Sequence, residues 1–467
     1  MHLLHEAWVE RVSLELLLGR GSEAPLSFDD LRERVPRLLD PRDEMDRPAH
    51  RLDSRQECPI ALHVALTGLQ GLTYPIRALR EDRPATGATY ADWGRFDLHP
   101  GRGLDQVTEP EGRAPLDFVL ASAASPGGFA PRLLDRRPDE DAYRARGIDN
   151  FPQSGHLWYT DGGLLGSQPL GRVLAAGRRL HERREQGAKR VNLLVNPRSE
   201  APAETGEWSD PDAAPTWQSG LSRGLAILSE QSIFDDLRRI EKYNSRLEWT
   251  RELLELLREH VPDSARPALR EFLERVESER HELRAESGEP QASSSANGDD
   301  RPVEDLLGTA LAEIAGVVGK ERTEIDVISP LLLADGPDSD VESLLAGEFL
   351  GDFGGFLSKD LRASDFALGY ESALAWLPEG LRRCGVEAAA VERTVAAVED
   401  QRRYQHDEVE SGSATIGDLS LRDRLQLVRL GLHTVRVLGS GAVDLRSKIP
   451  DRLGVMLDRT RSRLPRR

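Results

Sequence analysis

The chain has 467 residues, 39% hydrophobic and 30% charged, with a formal net charge of −18. That length suffices for two or three domains with cores of their own, and the surplus of acid makes nucleic acid a poor partner. No apolar run approaches the ~18 residues of a membrane span, and no basic-then-apolar leader opens the chain, so a cytoplasmic location is expected.

Cys58 and Cys384 are the two cysteines, which argues against a disulfide framework or a metal-type spacing. With no His-x-x-x-His pair and no carboxylate cluster, neither a metal nor a cofactor is expected. Five of the 62 basic residues are lysine, the rest arginine. That bias speaks to the source of the gene rather than to function.

Residues 1–57 read as helices and connectors, with Ser27 as an N-cap before Phe28-Asp29-Asp30-Leu31. Ile60 to Leu66, apolar and bounded by Pro59 and Gly68, reads as a buried strand. Tyr74 to Leu79 is its expected hairpin partner. Residues 80–113, rich in Gly, Pro and Asp, read as a long surface excursion. Pro115 to Ala124 reads as a helix closed by Pro126-Gly127-Gly128, and Tyr159-Thr160 as a strand end. A helix over Leu170 to Arg184 and a strand over Arg190 to Asn196 follow. Strands alternating with helices predict an α/β layer with a mostly parallel sheet. Residues 198–219 read as loop and the chain turns helical from Leu221. Glu286 to Pro302 reads as a disordered insert, and helices resume at Val303.

Two segments carry chemistry. The first runs Val119-Leu120-Ala121-Ser122-Ala123-Ala124-Ser125-Pro126-Gly127-Gly128-Phe129-Ala130-Pro131. The second runs Trp158-Tyr159-Thr160-Asp161-Gly162-Gly163-Leu164-Leu165-Gly166-Ser167-Gln168-Pro169-Leu170. A carboxylate at a strand end sits at the rim of a sheet, where α/β folds place their sites. Two glycines after it permit a tight turn and leave room for a substrate. Such an aspartate can take a proton from a serine hydroxyl.

Together these segments resemble the patatin-like phospholipases, whose Asp-Gly-Gly/Ala motif supplies the base of a Ser–Asp dyad. The resemblance implies a partial three-layer α/β domain over 1–200, the C-terminal two-thirds of such a hydrolase. A helical segment over 221–285, a linker over 286–302 and a helical extension over 303–467 would follow. It implies Asp161 as the catalytic base, with Gly162 and Gly163 supporting the motif. Further on, Leu344 to Leu350, Phe353-Gly354-Gly355-Phe356-Leu357 and Arg362 to Tyr370 are similar to the extension of large bacterial patatin-related proteins. There the Gly-Gly-Phe segment is expected to serve packing or docking. Gln168 stands where the family often has Asn.

The family's serine sits in Gly-x-Ser-x-Gly on a strand-to-helix elbow, and the expectation is that no match to that pattern occurs in this chain. Gly439-Ser440-Gly441 lacks the spacing, and Gly127-Gly128 ends a helix rather than forming an oxyanion loop. Ser122, Ser125, Ser154 and Ser167 are near in sequence but on no elbow. His156, five residues before Asp161, is a candidate to orient the base, with a plain loop histidine as the simpler reading. The expectation is a lipid acyl hydrolase acting on a lipid or other ester, with transient contact to a membrane surface and a nucleophile supplied from outside the chain. The alternatives are one half of a split hydrolase, completed by a separate serine-bearing half, and a non-catalytic scaffold.

Overall fold

The computed structural model describes residues 5–18, 24–38, 60–76, 85–98, 114–166, 170–182, 190–196, 217–287, 302–317, 322–333, 345–346, 354–400, 419–435 and 437. They form a mixed α/β structure in which helix predominates. Among them no helix is long and apolar enough to cross a membrane. Cα proximity divides the chain into two compact units, one built from Met1–Ser232 with Asp326–Arg467 and one from Ile233–Ile325.

The first unit opens with short helical turns over Glu6–Arg11 and Leu14–Leu17 and the helix α1, Asp29–Leu38. Ser27 Oγ accepts the Asp29 backbone N–H, as its capping position requires. Then come strands β1 (Ile60–Ile76) and β2 (Ala85–Leu98), helix α2 (Pro115–Ser122), strand β3 (Arg132–Asp135), helix α3 (Glu140–Ala145) and strand β4 (His156–Thr160). Helix α4 (Leu170–Glu182) and strand β5 (Leu193–Val195) follow.

The main sheet has four strands in the order β2-β1-β4-β3, and every pairing in it is antiparallel. This corrects the expectation of a mostly parallel sheet. Parallel pairing occurs instead between β5 and β6 (Asp326–Ile328), in a separate two-stranded sheet.

The hairpin also differs from the sequence reading. Tyr74 to Ile76 continue β1 instead of returning along it, and the partner is β2, inside the stretch read as a surface excursion. β1 passes its glycines through a register shift between Thr67 and Leu72 rather than turning there. A Cβ on Gly71 would lie 3.1 Å from the Tyr90 ring, so the glycine accommodates an aromatic cross-strand neighbour. In β2 the density of Gly and Asp conceals Thr89, Tyr90, Trp93 and Phe96, which are good strand formers.

Helix α2 lies between two cores and is accordingly apolar around most of its circumference. Leu116 and Leu120 enter a cluster with Leu14, Leu17, Phe28 and Phe129, to which Leu357 and Leu361 also belong. Phe118 and Ala121 enter the sheet's core with Leu66, Phe96, Leu157 and Tyr159. A Cβ on Gly94 would meet the Phe118 ring at 2.4 Å, so a glycine there lets the helix lie flat on β2.

The later part of this unit contains a short turn at Gly354–Leu357 and the helices α8 (Lys359–Arg383) and α9 (Ala388–Asp400). The Gly-Gly-Phe segment has a packing role: Trp8 meets Phe356 edge to face at 5.4 Å. The buried guanidinium of Arg362 donates to the carbonyls of Val9 and Gly355, each at 2.9 Å. It thereby ties the start of the chain to this turn.

Helix α5 runs Trp217–His260, its residues from Ile233 onward belonging to the second unit. That unit continues with α6 (Arg266–Ser287) and α7 (Val303–Ile314). Asn244 ties it internally, donating to the Thr323 carbonyl at 2.8 Å and accepting the Thr323 N–H at 3.0 Å. Of the expected insert at 286–302, the first two residues complete α6 and Pro302 precedes α7, while 288–301 lie outside the described residues.

Candidate functional site

β4 delivers Asp161 at its C-terminal end, and the following turn is bolted to the end of α2. The Thr160 hydroxyl and the Asp161 N–H both donate to the Ala124 carbonyl, at 2.7 and 3.0 Å. The Gly162 N–H donates to the Ser122 carbonyl at 3.2 Å. The two motifs singled out in the sequence are therefore one contact in space.

Each glycine has its own reason. A Cβ on Gly162 would sit 2.2 Å from the Ala65 carbonyl oxygen and 3.0 Å from Ser122 Oγ. No side chain fits between β1 and α2 at that point. A Cβ on Gly163 would press against Asp161 Oδ1 at 3.0 Å, the oxygen that accepts the Gly163 N–H at 2.7 Å. The Asp161 carboxylate thus caps the short helical turn Gly163–Gly166 and is held in one orientation by it.

The structure brings Ser122 beside this turn, as the half-buried last residue of α2, with its carbonyl on Gly162. A residue at a helix C-terminus has no elbow to thrust its hydroxyl outward. Ser125 lies in the tight turn that reaches Gly127 at φ +87°, and its carbonyl accepts the Phe129 N–H at 3.0 Å. Ser154 and His156 stand at the opposite end of β4, where the His156 ring contacts the Ser154 carbonyl at 2.7 Å. Five residues of extended chain separate His156 from Asp161 by roughly 16 Å, so His156 does not orient the base. Ser167 and Gln168 lie outside the described residues.

One expectation is corrected by the chain itself. Gly220-Leu221-Ser222-Arg223-Gly224 fits Gly-x-Ser-x-Gly, though it opens a helical stretch rather than closing a strand. Ser222 is the sixth residue of α5, inside regular helix. A nucleophile elbow instead needs the serine at the sharp junction of strand and helix. The match is one of composition.

Sequence reasoning missed a buried polar cluster on β2, β4 and α3. Asp92 is 5% exposed. The hydroxyls of Tyr143 and Tyr159 donate to its Oδ2 at 2.5 and 2.6 Å. Arg136 Nη1 stands 3.6 Å from the same oxygen, and Arg136 Nε stands 2.9 Å from Asp139. Arg136 also donates to the Trp93 carbonyl at 2.9 Å and lies over the rings of Phe118, Tyr143 and Tyr159. Burial works against the Arg136 charge, but Asp92 and its other neighbours outweigh it and raise its pKa. Burial first, then the Asp92 charge, pushes both tyrosines well above the ordinary phenol range. A carboxylate so enclosed leaves no room for substrate, and its role is to clamp β2 to β4. The period-two alternation of Asp92, Gly94 and Phe96, all buried, is the signal that marks Asp92 as inward-facing.

Compared with protein families, with curated proteins and with solved structures, the chain matches none.

Proposed function

We propose that this chain is the base-bearing part of a patatin-like lipid acyl hydrolase, with Asp161 as proton acceptor. The observation that carries the reading is the docking of Asp161-Gly162-Gly163 onto the Ser-Pro end of α2. It joins in space the two segments on which the family resemblance rests. In the reaction, Asp161 takes the proton of a serine hydroxyl as the serine oxygen attacks an ester carbonyl. The leaving alcohol then departs with that proton, and an acyl-serine remains. Water attacks the acyl group, again giving its proton to Asp161, and the fatty acid is released as serine is regenerated. The serine comes from a complementing segment, in the same or a separate chain, since Ser222 lies within a helix. Lipid ester is the substrate class, reached by transient adsorption. The −18 charge works against anionic bilayers except at high salt.

A non-catalytic platform is the second reading. It is favoured by the structural use of Asp161 Oδ1, which caps the Gly163–Gly166 turn. One assay separates the two: the chain is combined with a serine-bearing patatin-like N-terminal half and given a short-chain ester. Hydrolysis is expected, falling by about 10²–10⁴-fold in Asp161→Asn and unchanged in Ser222→Ala. Activity that survives Asp161→Asn would remove Asp161 from the chemistry, and no hydrolysis at all would favour the platform.

A further inference from the structure

Two clefts meet at Arg132 on the edge strand β3. One, of about 540 Å³, is polar and includes Arg32, Asp117, Asp135 and Arg137 in its wall. The other, of about 300 Å³, is lined by Phe28, Phe129, Pro131 and Trp158. Asp29, Arg132 and Leu133 belong to both. The volumes fall in or near the range of small-ligand sites.

The charges in the polar half mostly neutralise one another. Arg32 forks Asp117 through Nε and Nη2, at 2.7 and 3.1 Å. Arg137 holds Asp135 through its own fork and its backbone N–H. Arg132 is the exception: half-buried, it makes no ion pair or side-chain hydrogen bond among the described residues. Burial strips water from its guanidinium and lowers its pKa, with Asp117 and Asp29 acting from a distance in the opposite sense. A guanidinium stays protonated under these conditions and presents a planar fork that suits a carboxylate or phosphate. Beside it the apolar cleft is floored by the stacked rings of Phe28 and Phe129, 4.0 Å apart. Its rim is Trp158 and Leu133, cross-strand partners that are 51% and 47% exposed. A cation with no ion-pair partner among the described residues, at the mouth of an aromatic slot, selects for a ligand with an anionic head and an apolar tail.

We propose that the cleft at Arg132 binds an amphiphilic anion, its head on the Arg132 guanidinium and its alkyl chain along Phe28, Phe129 and Trp158. The site is distinct from Asp161 and stands whether or not Asp161 is catalytic. Asp29, at the N-terminus of α1, is the one carboxylate in the cleft with no ion-pair partner among the described residues, and it competes with the ligand for Arg132.

The test is calorimetric titration of the full chain with octanoate, with octanol as the uncharged control. Vesicles containing phosphatidylglycerol separate a lipid headgroup from a free carboxylate as the source of the anion. Octanoate is expected to bind more tightly than octanol. Arg132→Gln should weaken octanoate at least about tenfold, as loss of a charge-assisted hydrogen bond does, and leave octanol unchanged. Asp29→Asn should tighten octanoate, and Asp161→Asn should not alter it. Vesicle binding that depends on Arg132, without octanoate binding, would assign the anion to a lipid headgroup. Octanoate and vesicle binding that are both absent, or that are equal in wild type and Arg132→Gln, would overturn the proposal. Arg132→Lys, which keeps the charge and loses the fork, guards against misfolding of the Gln variant: binding intermediate between wild type and Gln is expected, and binding equal to wild type in both variants overturns the site.

Discussion

The hydroxyl of Tyr159, two residues before the candidate base, donates to Asp92 at 2.6 Å and so fastens β4 to a strand with which it does not pair. β1 lies between them in the sheet, and the bond runs from one side chain to another across the buried face. The position of Asp161 at the end of β4 thus depends on a carboxylate 69 residues upstream in the sequence.

Breaking that anchor is expected to be costly. Asp92→Ala leaves the Arg136 guanidinium, itself 2% exposed, without its carboxylate on β2, where only the Trp93 carbonyl remains to it, and takes the shared acceptor from two tyrosine hydroxyls that are left with each other at 3.3 Å. Loss of one member of a buried pair destabilises by about 3–5 kcal/mol. Tyr159→Phe, which removes one donor and leaves Tyr143 in place, should cost about 1–2 kcal/mol. Urea unfolding of the two variants measures both values. A loss below about 1 kcal/mol for Asp92→Ala would show that the cluster is not a clamp.

The glycines of the candidate site are expected to separate by mechanism. Gly162→Ala drives a methyl into the Ala65 carbonyl oxygen, 2.2 Å away, with backbone on that side and no flexible side chain to yield. A loss of about 3 kcal/mol is expected, the upper part of the overpacking range. Gly127 has φ +87° but nothing within 4 Å of the place a Cβ would take, so Gly127→Ala should cost only the conformational strain of about 1–2 kcal/mol. Thermal unfolding of the pair gives the order; a more damaging Gly127→Ala would refute the packing argument.

Acid should reveal the contribution of Asp135. Hydrogen bonds from the Arg137 side chain lower its pKa to about 2, below the unfolded value of about 3.9. The folded state therefore holds fewer protons than the unfolded state between those values. The stabilisation is fully present above about pH 4 and is lost as the pH falls towards 2. Arg137 is largely exposed, so the effect is modest and weakens with salt. Melting temperatures between pH 5 and 2 should fall more steeply in wild type than in Asp135→Asn. Parallel curves would show that the pair contributes nothing.

The sequence by itself determined the local elements whose signals are local. α2 was legible because Pro115 can open a helix and Pro126-Gly127 closes one, and β4 because Asp161-Gly162-Gly163 punctuates its end. The two segments were singled out together by a resemblance, but their contact in space was decided by tertiary structure. The partners of the strands were not legible. β2 was hidden because its Gly and Asp residues, which read as loop, are there to receive Phe118 and to meet Tyr143, Tyr159 and Arg136, neighbours that exist only after folding. The direction of the sheet was likewise decided by tertiary structure, since a strand's side-chain alternation is the same whichever way its partner runs. The enclosure of Asp92 and the lack of an ion-pair partner for Arg132 among the described residues belong to that second class. Each depends on distances between residues far apart in the chain, and hydrophobic period and turn chemistry record only what lies a few residues away.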